Sequence, residues 1–317
     1  NQSLKTALSI FDNAKKIGLK YIKLQTYKPD TLTVNSKRKE FIIKANHKYW
    51  GGQNLYDLYS KAYTPWDWHN KIFDYARKIK INCFSSPFDE TAVEFLEKCK
   101  CPAYKIASFE VTHIPLIEKI GSTKKPVILS TGMASKKEIY DAINTLVKNG
   151  CKDYSILKCT SSYPANPKDA NLLTIPDMIK EFKCPVGLSD HTPGIGVSLA
   201  AIALGATIIE KHITPDKNSN AVDSKFSLDY PEFESLIKES KNVAQAIGEI
   251  KYGFTSNEKD SLKHRRSVYV IKDLKKGDKI NKENIKIIRP NLGELPKHYN
   301  FMIGKKVLKN FKKILLL

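Results

Sequence analysis

Seven short apolar runs, separated by segments with helical periodicity, constrain the fold of this 317-residue chain more than any other feature. Each run has the length of a buried strand, and apolar residues recur at helical spacing between the runs. Strands that alternate with helices in this way form a parallel sheet. The predicted strands cover residues 21–25, 82–86, 103–107, 127–130, 154–159, 185–189 and 206–211.

A (β/α)₈ barrel fits this alternation, although such a barrel needs eight strands. We therefore expect one further strand upstream of Asn1. An open doubly wound sheet is the alternative, but no Gly-rich phosphate loop follows any early strand. The predicted fold class is α/β, a TIM barrel whose first strand is missing.

The chain changes character after residue 250. A helical pattern over 231–247 closes the first domain, which we place at residues 1–250, and the polar stretch 251–265 is predicted to be a linker. Residues 266–317 contain two short alternating runs and a Lys-Lys-Gly turn, which predict a small β-rich module. A module of about 50 residues is marginally stable alone, so we expect it to pack on the barrel.

The net charge of +20 raises the question of a nucleic-acid ligand. Only 5 of the 53 basic residues are arginine, the better reader of phosphates and bases, and the lysines are spread along the whole chain. Attraction of small anionic substrates is a simpler use of this charge. No apolar run reaches the roughly 18 residues of a membrane helix. The six cysteines lack paired spacing, which predicts reduced thiols and a cytoplasmic location.

Lysines and serines occur at the ends of several predicted strands. A barrel gathers its strand ends on one face, and ammonium groups with hydroxyl donors bind a phosphate or a carboxylate there. A Schiff-base lysine, as in class I aldolases, is an alternative that the residues leave open. The lysines are Lys23, Lys105 and Lys158, and the serines are Ser108, Ser130 and Ser189.

Two histidines, His191 and His212, end consecutive predicted strands, beside Asp190 and Glu210. Neighbouring strand ends can bring the two imidazoles face to face. Imidazole and oxygen ligands together suit Mn²⁺, Fe²⁺, Co²⁺ or Zn²⁺. These residues predict a metal site whose ion would act as a Lewis acid on a carbonyl.

Seven strings carry a family resemblance that extends over nearly the whole chain. They are Lys23-Leu-Gln-Thr, Phe84-Ser-Ser-Pro-Phe, Pro102-Ala-Tyr-Lys-Ile-Ala-Ser-Phe-Glu110, Leu129-Ser-Thr-Gly-Met, Lys158-Cys-Thr-Ser-Ser-Tyr-Pro, Gly187-Leu-Ser-Asp-His-Thr and Ile209-Glu-Lys-His212. Together they resemble the sialic acid synthase family, which joins phosphoenolpyruvate to an amino-sugar aldehyde. Residues 266–317 are similar to the SAF, or antifreeze-like, domain of those enzymes. Any one string would be weak, but the combination is specific.

Within that family, residues 23–33, 64–69 and 223–229 are most similar to pseudaminic acid synthases. The resemblance implies condensation of phosphoenolpyruvate with 2,4-diacetamido-2,4,6-trideoxy-L-altrose and water. The products would be pseudaminic acid and phosphate, formed by metal-assisted C–C bond formation and C–O cleavage. Legionaminic and N-acetylneuraminic acid synthases are the alternatives, and polyanion binding through the +20 charge is a non-enzymatic one.

The resemblance also implies a role for each site residue. The phosphate and carboxylate of phosphoenolpyruvate would be held by Lys23, Lys105, Ser108, Ser130 and Ser189. A divalent ion, Mn²⁺ with Mg²⁺ or Co²⁺ as options, would be bound by His191 and His212. The catalytic set would be Lys23, Lys105, Glu110, His191 and His212. The sugar would be oriented by Gln25, Glu110, Thr160, Ser161, Tyr163, Asp223 and Arg289, the last of these from the partner in a domain-swapped homodimer.

Both ends of the chain depart from the family pattern. The family's first strand, with a Glu and an Asn-His pair, would lie upstream of Asn1, and the SAF-like module stops short of its usual closing strand. An open barrel leaves strand edges unpaired. A catalytically incomplete fragment of such an enzyme is therefore a further expectation.

Overall fold

The computed structural model describes residues 3–45, 50–219 and 221–316. The chain forms two compact units, Asn1–Gly248 and Glu249–Leu317. The first unit holds one sheet of seven strands in chain order, and every neighbouring pair is parallel. The strands are β1 (Tyr21–Thr26), β2 (Asn82–Pro87), β3 (Tyr104–Ile106), β4 (Val127–Ser130), β5 (Tyr154–Cys159), β6 (Val186–Ser189) and β7 (Ile208–Glu210). The predicted α/β class with parallel strands is confirmed.

The sheet curls so that its two edge strands approach each other. Lys23 lies on β1 and Glu210 on β7, yet the Lys23 ammonium is 3.5 Å from the Glu210 carboxylate. An ion pair between the first and the last strand requires a sheet that is bent toward a barrel. Side chains from opposite edges therefore meet in one place.

Ten helices of the first unit connect these strands or flank them, counted over its described residues. They are α1 (Leu4–Lys16), α2 (Pro29–Leu32), α3 (Leu55–Ala62), α4 (Trp66–Ile79), α5 (Glu90–Lys98), α6 (Ile114–Ser122), α7 (Lys136–Lys148), α8 (Thr174–Phe182), α9 (Gly196–Ala203) and α10 (Tyr230–Ile247). Phe11 of α1 and Phe73 of α4 are at most 2% exposed in the core. Local sequence sets several helix starts: Ser135 and Glu138 form a capping box on α7, and Asp229 and Glu232 form one on α10.

The long segment between β1 and α4 is tied to the barrel at several points. The Asn54 amide caps the N-terminus of α3 and donates to the Ser36 carbonyl over 2.5 Å. The Trp66 indole donates to the Tyr27 carbonyl over 3.1 Å and stacks on Phe95. The first of these contacts is internal to the segment, and the second joins the residue after β1 to the start of α4.

The second unit is a small antiparallel sheet with its own core. Its strands are β8 (Ser267–Val270), β9 (Ile285–Ile288) and β10 (Leu315–Leu316), in the order β10-β8-β9. Helix α11 (Tyr299–Met302) lies between β9 and β10 in the chain. The core residues include Val268, Val270, Leu274, Ile280, Ile285, Val307 and Phe311. Across both units, none of the helices described is long and apolar enough to cross a membrane.

Candidate active site

A cavity of about 780 Å³ opens toward the carboxyl ends of the barrel strands. Most of the predicted site residues line it: Lys23, Gln25, Lys105, Ser108, Glu110, Ser130, Tyr163, Ser189, His191, His212 and Asp223. Thr160 and Ser161 bond to residues of the lining, because Ser161 donates to Ser108 and the Thr160 carbonyl meets His191. Arg289 is an exposed residue of the second unit, directly after β9.

Two lysines and one glutamate form a charged cluster at the base of this cavity. Lys105 is 1% exposed, and its ammonium donates to the Ser130 hydroxyl over 2.6 Å and to the Ile106 carbonyl over 2.9 Å. The Glu210 carboxylate lies 3.9 Å from Lys105 and accepts from the Ser189 hydroxyl over 2.8 Å. With Lys23 on the other oxygen of Glu210, the cluster carries a net charge of +1 when all three groups are ionised.

The pKa values show how strongly these groups are coupled. Burial alone would raise the pKa of Glu210, but the ammonium groups of Lys105 and Lys23 lower that pKa to about 2. Burial lowers the pKa of Lys105 to about 8, against the attraction of Glu210. At neutral pH both remain ionised, so the cluster presents positive charge to an anion in the cavity.

Ser108 and Ser161 are hydrogen-bonded to each other, and Gly132 lies directly against both of them. Ser161 donates to Ser108 over 2.8 Å. Gly132, which follows β4, has φ +51°, and a Cβ there would lie 2.5 Å from the Ser108 Cβ and 2.7 Å from the Ser161 hydroxyl. No side chain fits between them, so the glycine lets the loop after β4 approach the serines closely.

His191 and His212 face each other across the cavity wall. Their ring centroids are 5.4 Å apart. His191 Nδ1 lies 3.2 Å from the Thr160 carbonyl, which can only accept, so Nδ1 carries the proton and the Nε2 lone pair remains available. Burial lowers the pKa of His191 to about 4, which keeps the ring neutral. His212 Nδ1 is 3.2 Å from the Asp223 carboxylate, whose pKa is lowered because that contact outweighs its burial.

This donor set fits a divalent cation. Neutral imidazoles oriented by a carbonyl or a carboxylate are the arrangement found around metal ions. Over residues 3–45, 50–219 and 221–316, no three His, Cys, Asp or Glu side chains are grouped so that they could hold an ion. The two histidines could therefore supply part of a coordination sphere, with oxygen atoms of water or of a ligand as the remainder.

Among the described residues, Glu110 is the one acid of this site with a buried oxygen that lacks a hydrogen-bond partner. Its Oε2 is buried and has no hydrogen-bond partner. Burial raises the pKa of Glu110 to about 7, although Lys105 opposes the shift. An acid with this pKa, which also lines the cavity, can hold or release a proton near neutral pH.

Four apolar and aromatic residues of the cavity lining form what we call the aromatic wall, which we define as Tyr27, Leu58, Tyr59 and Phe88. Tyr27 packs edge-on against Tyr59 and Phe88, with ring centroids 6.0 Å and 5.3 Å away. Leu58 and Tyr59 belong to α3. Burial raises the pKa of Tyr59, and the charge of Glu110 adds to the shift, so this ring lies near that acid.

Sequence reasoning alone missed the ion pairs of Glu210 and the whole aromatic wall. Glu210 and His212 are two residues apart after an apolar run, and the alternation of side chains along a strand could have placed both toward the cavity. The only sequence feature that indicated the aromatic wall was weak. It is the number of aromatic residues in a segment that lacks helical or strand periodicity. Lys158 is a strand-end lysine that the sequence indicated and that does not line the cavity. Its ammonium donates to the Cys159 carbonyl and to the Thr160 hydroxyl instead.

Comparison with known proteins gives consistent matches over the whole chain. The NeuB family matches residues 10–252, and the SAF domain matches residues 265–313. The pseudaminic acid synthase of Helicobacter pylori is 43% identical over 98% of this chain and 92% of its own length. The N,N'-diacetyllegionaminic acid synthase of Campylobacter jejuni is 34% identical over 98% of this chain and 94% of its own length.

Among solved structures, the N-acetylneuraminic acid synthetase of Leptospira borgpetersenii matches with a TM-score of 0.71. It is 30% identical, and the match covers 82% of this chain and 85% of that one. This likeness, together with the SAF match, confirms the predicted TIM barrel followed by a small β-rich domain.

Proposed function

We propose that this chain, which belongs to the NeuB family, is a pseudaminic acid synthase. The observation that carries this function is the match to the pseudaminic acid synthases of Helicobacter pylori and Campylobacter jejuni at 43% and 42% identity over 98% of the chain. The N,N'-diacetyllegionaminic acid synthases are 34% and 33% identical. The proposed reaction joins phosphoenolpyruvate to 2,4-diacetamido-2,4,6-trideoxy-L-altrose with water, and it releases phosphate.

The charged cluster is the proposed site for phosphoenolpyruvate. Lys105 is buried and the Lys23 side chain is 16% exposed, so both supply positive charge where an anion is attracted more strongly than in water. Hydroxyl donors surround them, and the 2.6 Å bond from Lys105 orients Ser130. The serines proposed to bind the phosphate and the carboxylate are Ser108, Ser130 and Ser189.

The sugar is proposed to lie between the histidines and the aromatic wall. Gln25, Glu110, Tyr163 and Asp223 line this part of the cavity and can bond to its hydroxyl and amide groups. The aromatic wall offers apolar area to its methyl groups. Thr160 and Ser161 remain proposed sugar residues that act next to His191 and Ser108.

His191 and His212 are the proposed ligands of a divalent ion, Mn²⁺ in the first instance, with Mg²⁺ and Co²⁺ as alternatives. When bound, such an ion supplies Lewis-acid polarisation of the sugar aldehyde. The chain itself keeps His191 neutral and oriented through the Thr160 carbonyl, and it holds His212 against Asp223.

The proposed chemistry forms one bond between carbons and breaks one between carbon and oxygen. C3 of phosphoenolpyruvate attacks the aldehyde carbon, whose oxygen becomes a hydroxyl group. Water adds to the cationic C2 and loses one proton, which balances the proton gained by the aldehyde oxygen. Phosphate then leaves with the bridging oxygen and takes the proton of the new C2 hydroxyl, so that C2 becomes a ketone carbonyl. Lys23 and Lys105 stabilise the negative charge that grows on the phosphate, and Glu110 is the nearby group able to hold or give a proton.

We further propose that the protein works as a homodimer in the cytoplasm. All six cysteines are free thiols, which agrees with a reducing compartment. Arg289 is exposed on its own unit. The family resemblance implies that Arg289 binds the sugar bound to the partner subunit, and variants at Arg289 that change only the sugar KM would support this role.

Phosphate release tests the function directly. The protein is incubated with Mn²⁺, phosphoenolpyruvate carrying ¹⁸O at the bridging position, and either the altrose-derived sugar or N-acetylmannosamine. We expect release with the altrose-derived sugar alone and ¹⁸O in the phosphate. Release with N-acetylmannosamine would move the protein to another branch of the family, and borohydride trapping of Lys105 with pyruvate would replace the mechanism by that of a Schiff-base aldolase.

A further inference from the structure

Behind the two histidines lies an ion pair that is closed off from solvent. The Lys211 ammonium is 2.9 Å from the Asp190 carboxylate, and the two side chains are 0% and 1% exposed. Asp190 directly precedes His191, and Lys211 directly precedes His212. The cavity is lined by the histidines and, within the described part of the chain, by neither member of the pair.

Every lone-pair direction of the Asp190 carboxylate is used. Oδ1 accepts from the backbone and the hydroxyl of Thr192 over 2.8 Å and 2.7 Å. Oδ2 accepts from the Ser198 hydroxyl over 2.6 Å and from Lys211 over 2.9 Å. Lys211 also donates to the Thr192 carbonyl over 2.5 Å. The network therefore fixes the residues on both sides of His191 and the residue before His212.

A stabilising role alone is a weak explanation for this pair. Two charges removed from water cost several kcal/mol each, and apolar residues of similar volume often stabilise a core as well or better. When all hydrogen-bonding positions of the carboxylate are occupied, as in Asp190, the network instead fixes one geometry. Its bonds join the end of β6 to the end of β7, which are the two chain segments that present the imidazoles.

We propose that Asp190 and Lys211 are positioning residues that hold His191 and His212 at the separation a divalent ion requires. The inference rests on the proposed function, since it assigns a purpose to the same metal site. It places no further group in contact with substrate. It identifies the ion pair as the reason why two short loops can present two rings 5.4 Å apart.

The double variant Asp190→Asn/Lys211→Met tests this, because it removes both charges together and leaves neither one buried alone. Mn²⁺ affinity is measured without substrate, from the electron paramagnetic resonance signal of unbound Mn²⁺. We expect binding to weaken by about 10- to 100-fold, as for other partners of metal ligands. The KM for phosphoenolpyruvate should stay within about twofold while kcat falls, because the charged cluster is untouched.

Two further variants keep the test decisive if the double variant folds poorly. Ser198→Ala removes one bond to Asp190 and should weaken Mn²⁺ binding a few-fold at an unchanged melting temperature. Lys217→Met breaks an ion pair to Glu232 that is about one-third exposed, and it should leave Mn²⁺ binding unchanged.

The outcomes separate the inference from the function beneath it. Wild-type affinity for Mn²⁺ in both Ser198→Ala and the folded double variant, with normal turnover, would overturn the positioning role and leave the synthase intact. Failure of the wild-type protein to bind Mn²⁺ would remove the metal site and this inference together. Weaker binding in Ser198→Ala and not in Lys217→Met would support the role.

Discussion

The charged cluster and the aromatic wall of the cavity are built in different ways. The charged cluster lies on β1, β3 and β7, where Glu210 is 3.5 Å from Lys23 and 3.9 Å from Lys105, and Lys105 donates to the Ser130 hydroxyl over 2.6 Å. Most of the aromatic wall comes from the segment between β1 and α4, and its rings pack edge-on with centroids 6.0 Å and 5.3 Å apart. Strand ends fix a point charge closely, whereas an inserted segment supplies apolar area that can differ between relatives without disturbing the barrel.

This difference suggests a division of labour. The charged cluster suits the substrate that all relatives of this kind would share, and the aromatic wall suits the sugar that distinguishes them. Variants of the charged cluster and variants of the aromatic wall should then affect different substrates.

The largest effect is expected at Lys105. Lys105→Met keeps most of the side-chain volume but removes the charge and the bond to Ser130. Loss of one preorganised donor typically costs about 100- to 1000-fold in rate, so kcat/KM for phosphoenolpyruvate should fall by that factor. Steady-state phosphate release measures it.

Lys119→Met is the matched control, because Lys119 pairs with Glu94 at the surface over 2.8 Å. It removes the same charge and should leave kcat/KM unchanged. Equal losses in both variants would mean that the overall charge of the protein, and not the cluster, attracts the substrate.

Glu110 gives the next largest effect, on stability as a function of pH. Its pKa is raised from 4.5 to about 7 by burial, so the folded state binds more protons than the unfolded state between these values. The free energy of unfolding therefore falls as pH rises through this window, by up to about 3 kcal/mol from this group. His191, whose pKa is lowered to about 4 by burial, contributes the opposite trend over part of this range, so the contribution of Glu110 is read from a difference. From pH 5 to pH 8, urea unfolding should show that wild-type protein loses more free energy of unfolding, or gains less, than Glu110→Gln. Parallel profiles would assign the pH dependence to other groups.

The charged cluster and the aromatic wall also differ in how well the sequence predicts them. Lys23, Lys105 and Ser130 lie on or at the end of apolar runs, and parallel strands must bring such residues together. The ion pair between Lys105 and Glu210 joins β3 to β7 across the barrel and depends on the curvature of the sheet, which periodicity does not encode. Tyr27 and Tyr59 lie in a segment whose bonds from Trp66 to the Tyr27 carbonyl and from Asn54 to the Ser36 carbonyl span many residues, and such contacts leave no pattern along the chain.

Gly132→Ala should disturb the proposed phosphoenolpyruvate site through a steric clash. An αL conformation costs an alanine about 1 kcal/mol relative to glycine, and the new Cβ must also displace Ser108 or Ser161, which lie 2.5 Å and 2.7 Å away. We expect a KM for phosphoenolpyruvate about tenfold higher, or about 1.4 kcal/mol, with the sugar KM changed less. Gly194→Ala is the control, since it has φ +72° and nothing within 4 Å. A similar KM in both variants would show that the serines are not in contact with this substrate.

The smallest effect is expected at the aromatic wall, and it is the one that sharpens the comparison most. Tyr59→Ala removes a ring that packs on Tyr27, and such ring contacts are worth about 0.5 to 1.5 kcal/mol. The KM for the altrose-derived sugar should therefore rise about three- to tenfold, while the KM for phosphoenolpyruvate stays unchanged. Tyr59→Phe keeps the ring and should behave as wild type, which separates apolar contact from any role of the hydroxyl. If Tyr59→Ala instead raises both KM values together, the aromatic wall covers the whole cavity, and the wall and the charged cluster do not bind separate substrates.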